Sequence, residues 1–577
     1  MMRGAGKILS AGAMLLLLGQ GASADDAPAR RTTTPIEHLI VIVGENLSFD
    51  HLFATYRPPP GETIANLLAK GIVKEDGTPG PNFANAAQWQ ADIRDRYQVT
   101  PGRIGAYPAL PRPGTTYAQG LPRNTGDERF PADLANGPFA ITRYADTAAF
   151  LGDPVHRFFQ MWQQFDGGRS DLFVWVAETS GEGSPRHDDP STGTRQGGLA
   201  MGFFNMGAGD AAYLAALARR FALADNYHQP MMGGTGANYF ALATGDVGVY
   251  LQDGKPAAPP ANQVENPDPQ PGTNNWYTQS GYRSGSYVGC ADAAQPGVAA
   301  IDAFLAALPY RALNGGNCEP GHYYLVNNYR PGFTPEGARK PLGPTEYTLP
   351  PQQVPTIAEA LAAQGISWKW YSGGRRGGAI DRDAYCDICD ALTFSTAVME
   401  GKLKQNLQGL DDLDRDLADA KSFPAVAIVV PPNLESGHPA YSTLANFESF
   451  LRDFVAKLEA HPELWASTAL LITTDEGGGY YDSGEIQILD FFGDGTRIAM
   501  VAVSPFARSG HVEHTYYDHV SILKFIERNW QLKPLSARSR DNLPNPVMSA
   551  ADPYMPTNRP AIGDLMELFD FTKKKSE

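Results

Sequence analysis

A chain of 577 residues with 42% hydrophobic, 19% charged and 10% aromatic side chains has the composition of a globular protein with a large core. A formal net charge of −16 argues against attachment to nucleic acid or to an anionic membrane surface through bulk charge. It leaves a phosphate substrate open, because a local cation can reverse the field inside one pocket.

The chain starts with an export pattern. Arg3 and Lys7 form a basic n-region, Ala11–Leu18 a short apolar h-region, and Ala22-Ser23-Ala24 a small-residue cleavage site. The h-region is too short to span a bilayer, and no other long apolar stretch follows, so residues 1–24 read as a signal peptide. The expectation is an exported, periplasmic or secreted, protein with no transmembrane anchor. Export permits disulfides among Cys290, Cys318, Cys386 and Cys389, and sequence leaves all three pairings open. Cys386-x-x-Cys389 also allows redox chemistry or zinc.

Leu39–Val43 is an apolar run that stops at Gly44, the pattern of a buried strand, and Glu45-Asn46 follow at its end. Tyr56–Pro138 is rich in Pro and Gly without periodicity and reads as a loop that shapes a site. Leu172–Ala177 is another buried segment. Tyr213, Leu214, Leu217 and Phe221 mark one helix face that Asp210 is placed to cap. Residues of about 253–351 look like a Pro/Gly-rich insertion, a lid or small subdomain.

The core pattern resumes with a capped helix at Thr356–Gln364 and strands at Ile366–Tyr371 and Ala425–Val430. Leu444, Phe447, Leu451, Phe454, Val455 and Leu458 define a further helix. Strands at Ala469–Thr473 and Ile498–Val503 and a helix at Asp518–Trp530, with Asp518 at its cap, complete the series. Strands alternating with helices predict an α/β fold, a mostly parallel central sheet covered by helices on both faces, as a single domain over residues 25–577.

Two expected strands end in paired oxygen ligands, Glu45-Asn46 and Asp475-Glu476, with Gly44 and Gly477–Gly479 permitting the turns that would let them converge. Four such oxygens suit one hard divalent cation, Ca²⁺, Mg²⁺ or Mn²⁺, and the alternative is that each pair caps a helix or lies in a solvated loop. Thr235 follows Gly233-Gly234, where backbone can approach a substrate closely; it reads either as a nucleophile that needs a metal or base, or as a helix cap. His156 and His438 stand in turn-like contexts beside apolar helices, as general acids or phosphate-oxygen donors.

These residues belong to a larger match. GENLSFDHLF resembles the opening signature of the bacterial phosphoesterase family that contains phospholipases C and acid phosphatases, in the alkaline phosphatase/sulfatase-like superfamily. DPVHRFFQMWQQFDGG, GLAMGFFNMG, FALADNYHQPMMGGTGANYFALATG, VVPPNLESGHPAYS, ALLITTDEGGGYYD, GTRIAMVAVSPFARSG and YDHVSILKFIE are similar to further segments of that family in the same order. The resemblance runs from about Ile36 to Ala537, the insertion excepted.

The resemblance implies an alkaline-phosphatase-like fold and an exported, metal-dependent phosphoric ester hydrolase. It implies that Glu45, Asn46, Asp475 and Glu476 bind one divalent cation, that Thr235 attacks phosphorus, and that His156 and His438 hold phosphate oxygens or protonate the leaving group. His228 and Asn238, in the Thr235 block, are expected on the substrate side. The expected substrate is a small phosphomonoester or a phospholipid. The end of the chain soon after the last expected helix, and the lack of a basic amphipathic helix, tilt the expectation toward the monoester. Leu47, Ala237, Tyr239 and Ser483 depart from the family pattern, two of them at positions where arginines are usual and one where histidine is. A secreted binding protein that kept the fold and lost turnover is the alternative those departures support.

Overall fold

The computed structural model describes residues 32–116, 118–122, 125–180, 197–277, 284–376 and 379–572. The expected signal peptide lies outside them. No helix among the described residues is long and apolar enough to cross a membrane.

The apolar run at the start forms β1, His38–Gly44, near the centre of a nine-stranded sheet. The other strands are β2 (Ala222–His228), β3 (Trp368–Ser372), β4 (Leu407–Gln408), β5 (Val426–Val430), β6 (Thr468–Thr474), β7 (Arg497–Val503), β8 (Val512–Glu513) and β9 (Tyr517–Asp518). Their order is β4-β3-β5-β1-β6-β7-β2-β8, with β9 continuing beside β2. β7 runs antiparallel to both neighbours and the remaining pairs are parallel. The fold is therefore the expected α/β type with a mostly parallel sheet. The direction of β7 was not foreseen, because hydrophobic period does not encode strand direction.

The central strands read as continuous apolar runs because both their faces are buried. The helix Leu444–Glu459 buries Phe447, Leu451, Phe454, Val455 and Leu458, as its spacing predicts, and the Thr443 side chain caps it by accepting from Asn446 N at 3.2 Å. Thr356 and Glu359 form a capping box at Ile357–Ala363. Asp518 Oδ1 accepts from the amides of Val520 and Ser521, at 2.8 and 3.2 Å, and starts the helix Val520–Trp530.

Leu172–Ala177 is buried as expected and lies mainly in a helix, Phe173–Thr179; so short a buried segment carries no period that separates helix from strand. One local reading is corrected. Asp210 does not cap Ala212–Arg220. It accepts from Asn205 N and the Thr142 hydroxyl, while Glu448 Oε1 from the Leu444–Glu459 helix receives the amides of Tyr213 and Leu214 at 2.8 and 2.9 Å. The apolar segment at the start of the Thr235 block is β2, with the polar pair Asp225-Asn226 at its middle.

Cys290 pairs with Cys318 and Cys386 with Cys389. The insertion contributes short strand pairs, including Tyr287–Val288 with Tyr324–Leu325, and the helix Val298–Ala307. Val298 and Ile301 of that helix pack in a cluster with Phe158, Trp162, Met231 and Met232, which brings the insertion against the loop that leads to Thr235.

Candidate active site

β1 and β6 are parallel neighbours with Gly44 opposite Thr474, so the pairs that follow them emerge side by side. The Asp475 amide donates to Gly44 O at 3.0 Å, and the Leu47 amide to Glu476 O at 3.1 Å. Asn46 adopts φ +57°, and its amide donates to Asp475 Oδ1 at 3.1 Å. Gly478, at φ +60°, sits so close to Asn46 that a Cβ would lie 2.6 Å from the Asn46 Cβ. A side chain there would push the two strand ends apart. The convergence expected from two glycine-flanked strand ends is present.

Thr235 begins the helix Thr235–Thr244 immediately after Gly233-Gly234. A Cβ on Gly233 would run into the carbonyl oxygen of Val326 in the insertion, so the close approach requires glycine. The Thr235 hydroxyl donates to Glu476 Oε1 at 3.2 Å. His156 Nε2 lies 3.8 Å from the same oxygen, and its Nδ1 is 2.6 Å from Pro154 O. A carbonyl only accepts, so Nδ1 carries the proton and the Nε2 lone pair faces the carboxylate. His438 Nε2 lies 2.9 Å from Asn46 Nδ2.

That arrangement leaves Asn46 Oδ1, Asp475 Oδ2 and Glu476 Oε2 buried without a hydrogen bond. Burial raises the Glu45 carboxyl well above the ordinary carboxylate range, and the charges of Asp475, Glu476 and Asp153 push the same way. Burial and then Asp475 raise Glu476 similarly, and burial pushes Asp475 up to about 7. Three buried carboxylates in contact without a protein cation among them, and oxygens left unpaired, are the donor set a hard divalent cation would satisfy. The sulfurs of Cys386 and Cys389 and a Glu45 oxygen also lie within 4.8 Å of one another. Bridged sulfurs are not thiolates, so this trio offers no zinc-type set, and the 2.9 Å approach of Cys389 Sγ to Glu45 Oε1 is a packing contact.

Glu45, Thr235, His156 and His438 open on a cavity of about 510 Å³ whose wall also includes Asp153, Arg157, Asn328, Cys386, Tyr441 and residues Gln119–Leu121 of the Pro/Gly-rich loop. Burial pushes His156 down to about 3, reinforced by Arg157, and burial does the same to His438.

His228 and Asn238 are not brought to this cavity. His228 is fully buried on β2, stacked on Tyr516, with its ring nitrogens near Gly495 O and Asn226 Oδ1. Asn238 accepts from the Met231 amide and donates to the carbonyls of Gly233 and Gly234, so it shapes the loop that presents Thr235. Of the positions that depart from the family pattern, Tyr239 donates from its hydroxyl to Val43 O in the core, and Leu47 is buried beside Gly437. Ser483 donates to Asp50. Residues that sequence reasoning missed are Asn328, whose Oδ1 accepts the Gly236 amide at 2.7 Å, Arg157, and Gln229, which accepts the Gly477 amide at 2.9 Å. Only Arg157 carried a signal, its position beside His156.

The Phosphoesterase family pattern matches residues 36–533. The chain belongs to that family. It is 27% identical over 258 residues to the hemolytic phospholipase C of Pseudomonas aeruginosa, a match covering 37% of this chain and 33% of that one. It is 25% identical over 320 residues to a non-hemolytic phospholipase C of Burkholderia pseudomallei, covering 47% and 43%. A probable acid phosphatase of Kluyveromyces lactis is 24% identical over 202 residues, covering 33% and 45%. The chain thus spans less than half the length of these relatives. Among solved structures it is similar to an alkaline phosphatase superfamily protein from Vibrio parahaemolyticus, with 10% identity, coverage of 55% of this chain and 59% of that one, and a TM-score of 0.26.

Proposed function

We propose that this chain is a metal-dependent phosphoric ester hydrolase in which Thr235 is the nucleophile and Glu45, Asn46, Asp475 and Glu476 hold one divalent cation. The observation that carries the reading is the meeting of the Thr235 hydroxyl with three buried, unpaired oxygens at the ends of two adjoining parallel strands. A hard cation such as Ca²⁺, Mg²⁺ or Mn²⁺ suits an all-oxygen donor set, and when bound it lowers the pKa of a nearby hydroxyl and offsets phosphoryl charge.

The chain's own groups do the rest. Thr235 Oγ1 attacks phosphorus, the bond to the leaving oxygen breaks, and the alcohol departs with a proton; water then cleaves the phosphothreonine and restores the hydroxyl. The Thr235 proton goes to Glu476 Oε1, which already accepts its hydrogen bond, and His156 or His438, when protonated, gives the leaving oxygen its proton; the water of the second step restores both groups. His438 lies with its Nε2 against the Asn46 carboxamide and its Nδ1 accepting the Ala440 amide at 3.3 Å, which fixes the ring beside the oxygen ligands. Family membership and the names of the relatives support the substrate class, a small phosphomonoester or a phospholipid. Export belongs to the same reading, and the two disulfides support it.

The test compares hydrolysis of p-nitrophenyl phosphate, p-nitrophenyl phosphorylcholine and phosphatidylcholine with and without chelator. Turnover of at least one, lost on chelation and restored by a divalent cation, is expected. No turnover of any by metal-loaded protein would leave a binding protein as the reading.

A further inference from the structure

Arg157 is the one lysine or arginine among the described residues that line the cavity. Every other charged side chain in that wall, Glu45 and Asp153, is acidic, and Asp475 and Glu476 lie buried beneath it. Arg157 stands at the start of the helix Phe158–Phe165, immediately after His156, and is half-buried. Its Nη1 is buried with no hydrogen-bond partner. A guanidinium nitrogen in that condition is costly unless a ligand supplies an acceptor. The positive charge acts on the site itself, since it favours ionised Glu476 and opposes protonation of both His156 and His438.

The positions where the family commonly carries arginine do not supply a second cation. Leu47 is buried and apolar, and Tyr239 turns its hydroxyl to Val43 O. Arg375 is occupied by Asp390 at 2.6 Å. Among the described residues, three carboxylates at the floor would therefore be offset by a divalent cation and a single guanidinium, with Asp153 adding a further negative charge at the wall.

We propose that Arg157 is the residue that grips a non-bridging phosphoryl oxygen, and that the scarcity of positive charge among the described residues around it makes the site select phosphoryl groups carrying one negative charge over those carrying two. This rests on the hydrolase reading above. The favoured substrates are phosphodiesters over the whole working range, and monoesters only while singly ionised. A phosphomonoester gives up its second proton near pH 6, so above that pH its reactive fraction shrinks while a diester's does not.

Two measurements decide this. The first is the ratio of kcat/KM for p-nitrophenyl phosphate to that for methyl p-nitrophenyl phosphate, followed from about pH 5 to about pH 8 on metal-loaded enzyme; titrations of the enzyme itself cancel in the ratio. The ratio is expected to fall about tenfold per pH unit above about 6. A flat ratio would overturn the charge selection. The second is calorimetric binding of inorganic phosphate to metal-loaded and metal-free protein. Arg157→Ala is expected to weaken it by about 10- to 100-fold, the range of a lost charge-assisted hydrogen bond. Arg157→Lys is expected to recover part of that loss, because it keeps the charge and gives up the planar fork. Phosphate binding by Arg157→Ala equal to that of the unaltered protein would overturn the assignment. If neither ester is turned over, the hydrolase reading fails, and the calorimetry still decides what Arg157 does.

Discussion

Two clusters of buried carboxylates lie within a few residues of one another in this chain, and they are built in opposite ways. Asp50 and Asp482 face the fully buried Arg497, whose Nε donates to Asp482 Oδ2 at 2.9 Å and whose Nη2 reaches Asp482 Oδ1 at 3.1 Å and Asp50 Oδ2 at 3.4 Å. Burial raises both carboxyls; Arg497, with the Gly484 amide and Lys70, more than reverses this at Asp482, which lies below its ordinary value, while Asp50 stays raised by burial and by Asp482. Glu45, Asp475 and Glu476 are just as buried and have no protein cation among them, and their carboxyls are pushed up. A buried acid cluster that faces a fully buried guanidinium holds a fold together, even with one oxygen, Asp50 Oδ1, left without a partner. One left unneutralised, with orphaned oxygens beside a hydroxyl and an imidazole, has a ligand to meet.

The contrast breaks first at Thr235. Thr235→Ala is expected to lower kcat by at least about 10³-fold, the scale on which removal of a nucleophile is felt, with the melting temperature and metal content little changed. Loss of activity together with unfolding would make Thr235 a structural cap instead.

Arg497→Met tests the other cluster. It leaves two buried carboxylates without their cation and is expected to cost about 3–5 kcal/mol of stability in denaturant unfolding. If stability were unchanged, the distinction between the two clusters would fail at its structural end.

A smaller effect separates them by pH. A carboxyl whose pKa is raised on folding keeps protons that the unfolded chain has released, so stability falls as pH rises from the unfolded value of about 4 through about 7 at Asp475. The gain in melting temperature on adding a divalent cation is therefore expected to be larger at about pH 7.5 than at about pH 5; the buried histidines, whose lowered pKa values push stability the other way over this range, act on both forms. Melting temperatures with and without chelator at the two pH values check this. The smallest effect is expected of Tyr239→Phe, which removes one hydrogen bond to Val43 O and should cost about 1 kcal/mol of stability without changing kcat.

Much of this was legible in the chain because the responsible signals are local. Leu39–Val43 and Ala469–Thr473 are apolar runs cut off by polar pairs, which marks them as strands with polar ends; that the two strands are neighbours is shown by their pairing in the sheet. Thr356 and Asp518 state their capping roles in their spacing. Other features depend on distant partners. Asp225 and Asn226 break the apolar pattern of β2 because they bond to His514 and Tyr554, far along the chain. His228 resembles a site histidine in sequence, and only packing against Tyr516 withdraws it. Asn328 reaches the Gly236 amide from inside an insertion with no periodic signal. Arg157 was hidden because an arginine beside a histidine is ordinary until it proves to be the one lysine or arginine among the described residues that line the cavity.

The central claim is that the oxygens after β1 and β6 form the cation site that serves Thr235. The most direct measurement is metal content by mass spectrometry, taken together with hydrolysis rate, for the unaltered protein and for Asp475→Asn. The account predicts one divalent cation per chain in the unaltered protein, and loss of both the cation and the activity in Asp475→Asn while the fold is retained. Unchanged metal content and unchanged rate in Asp475→Asn would contradict it.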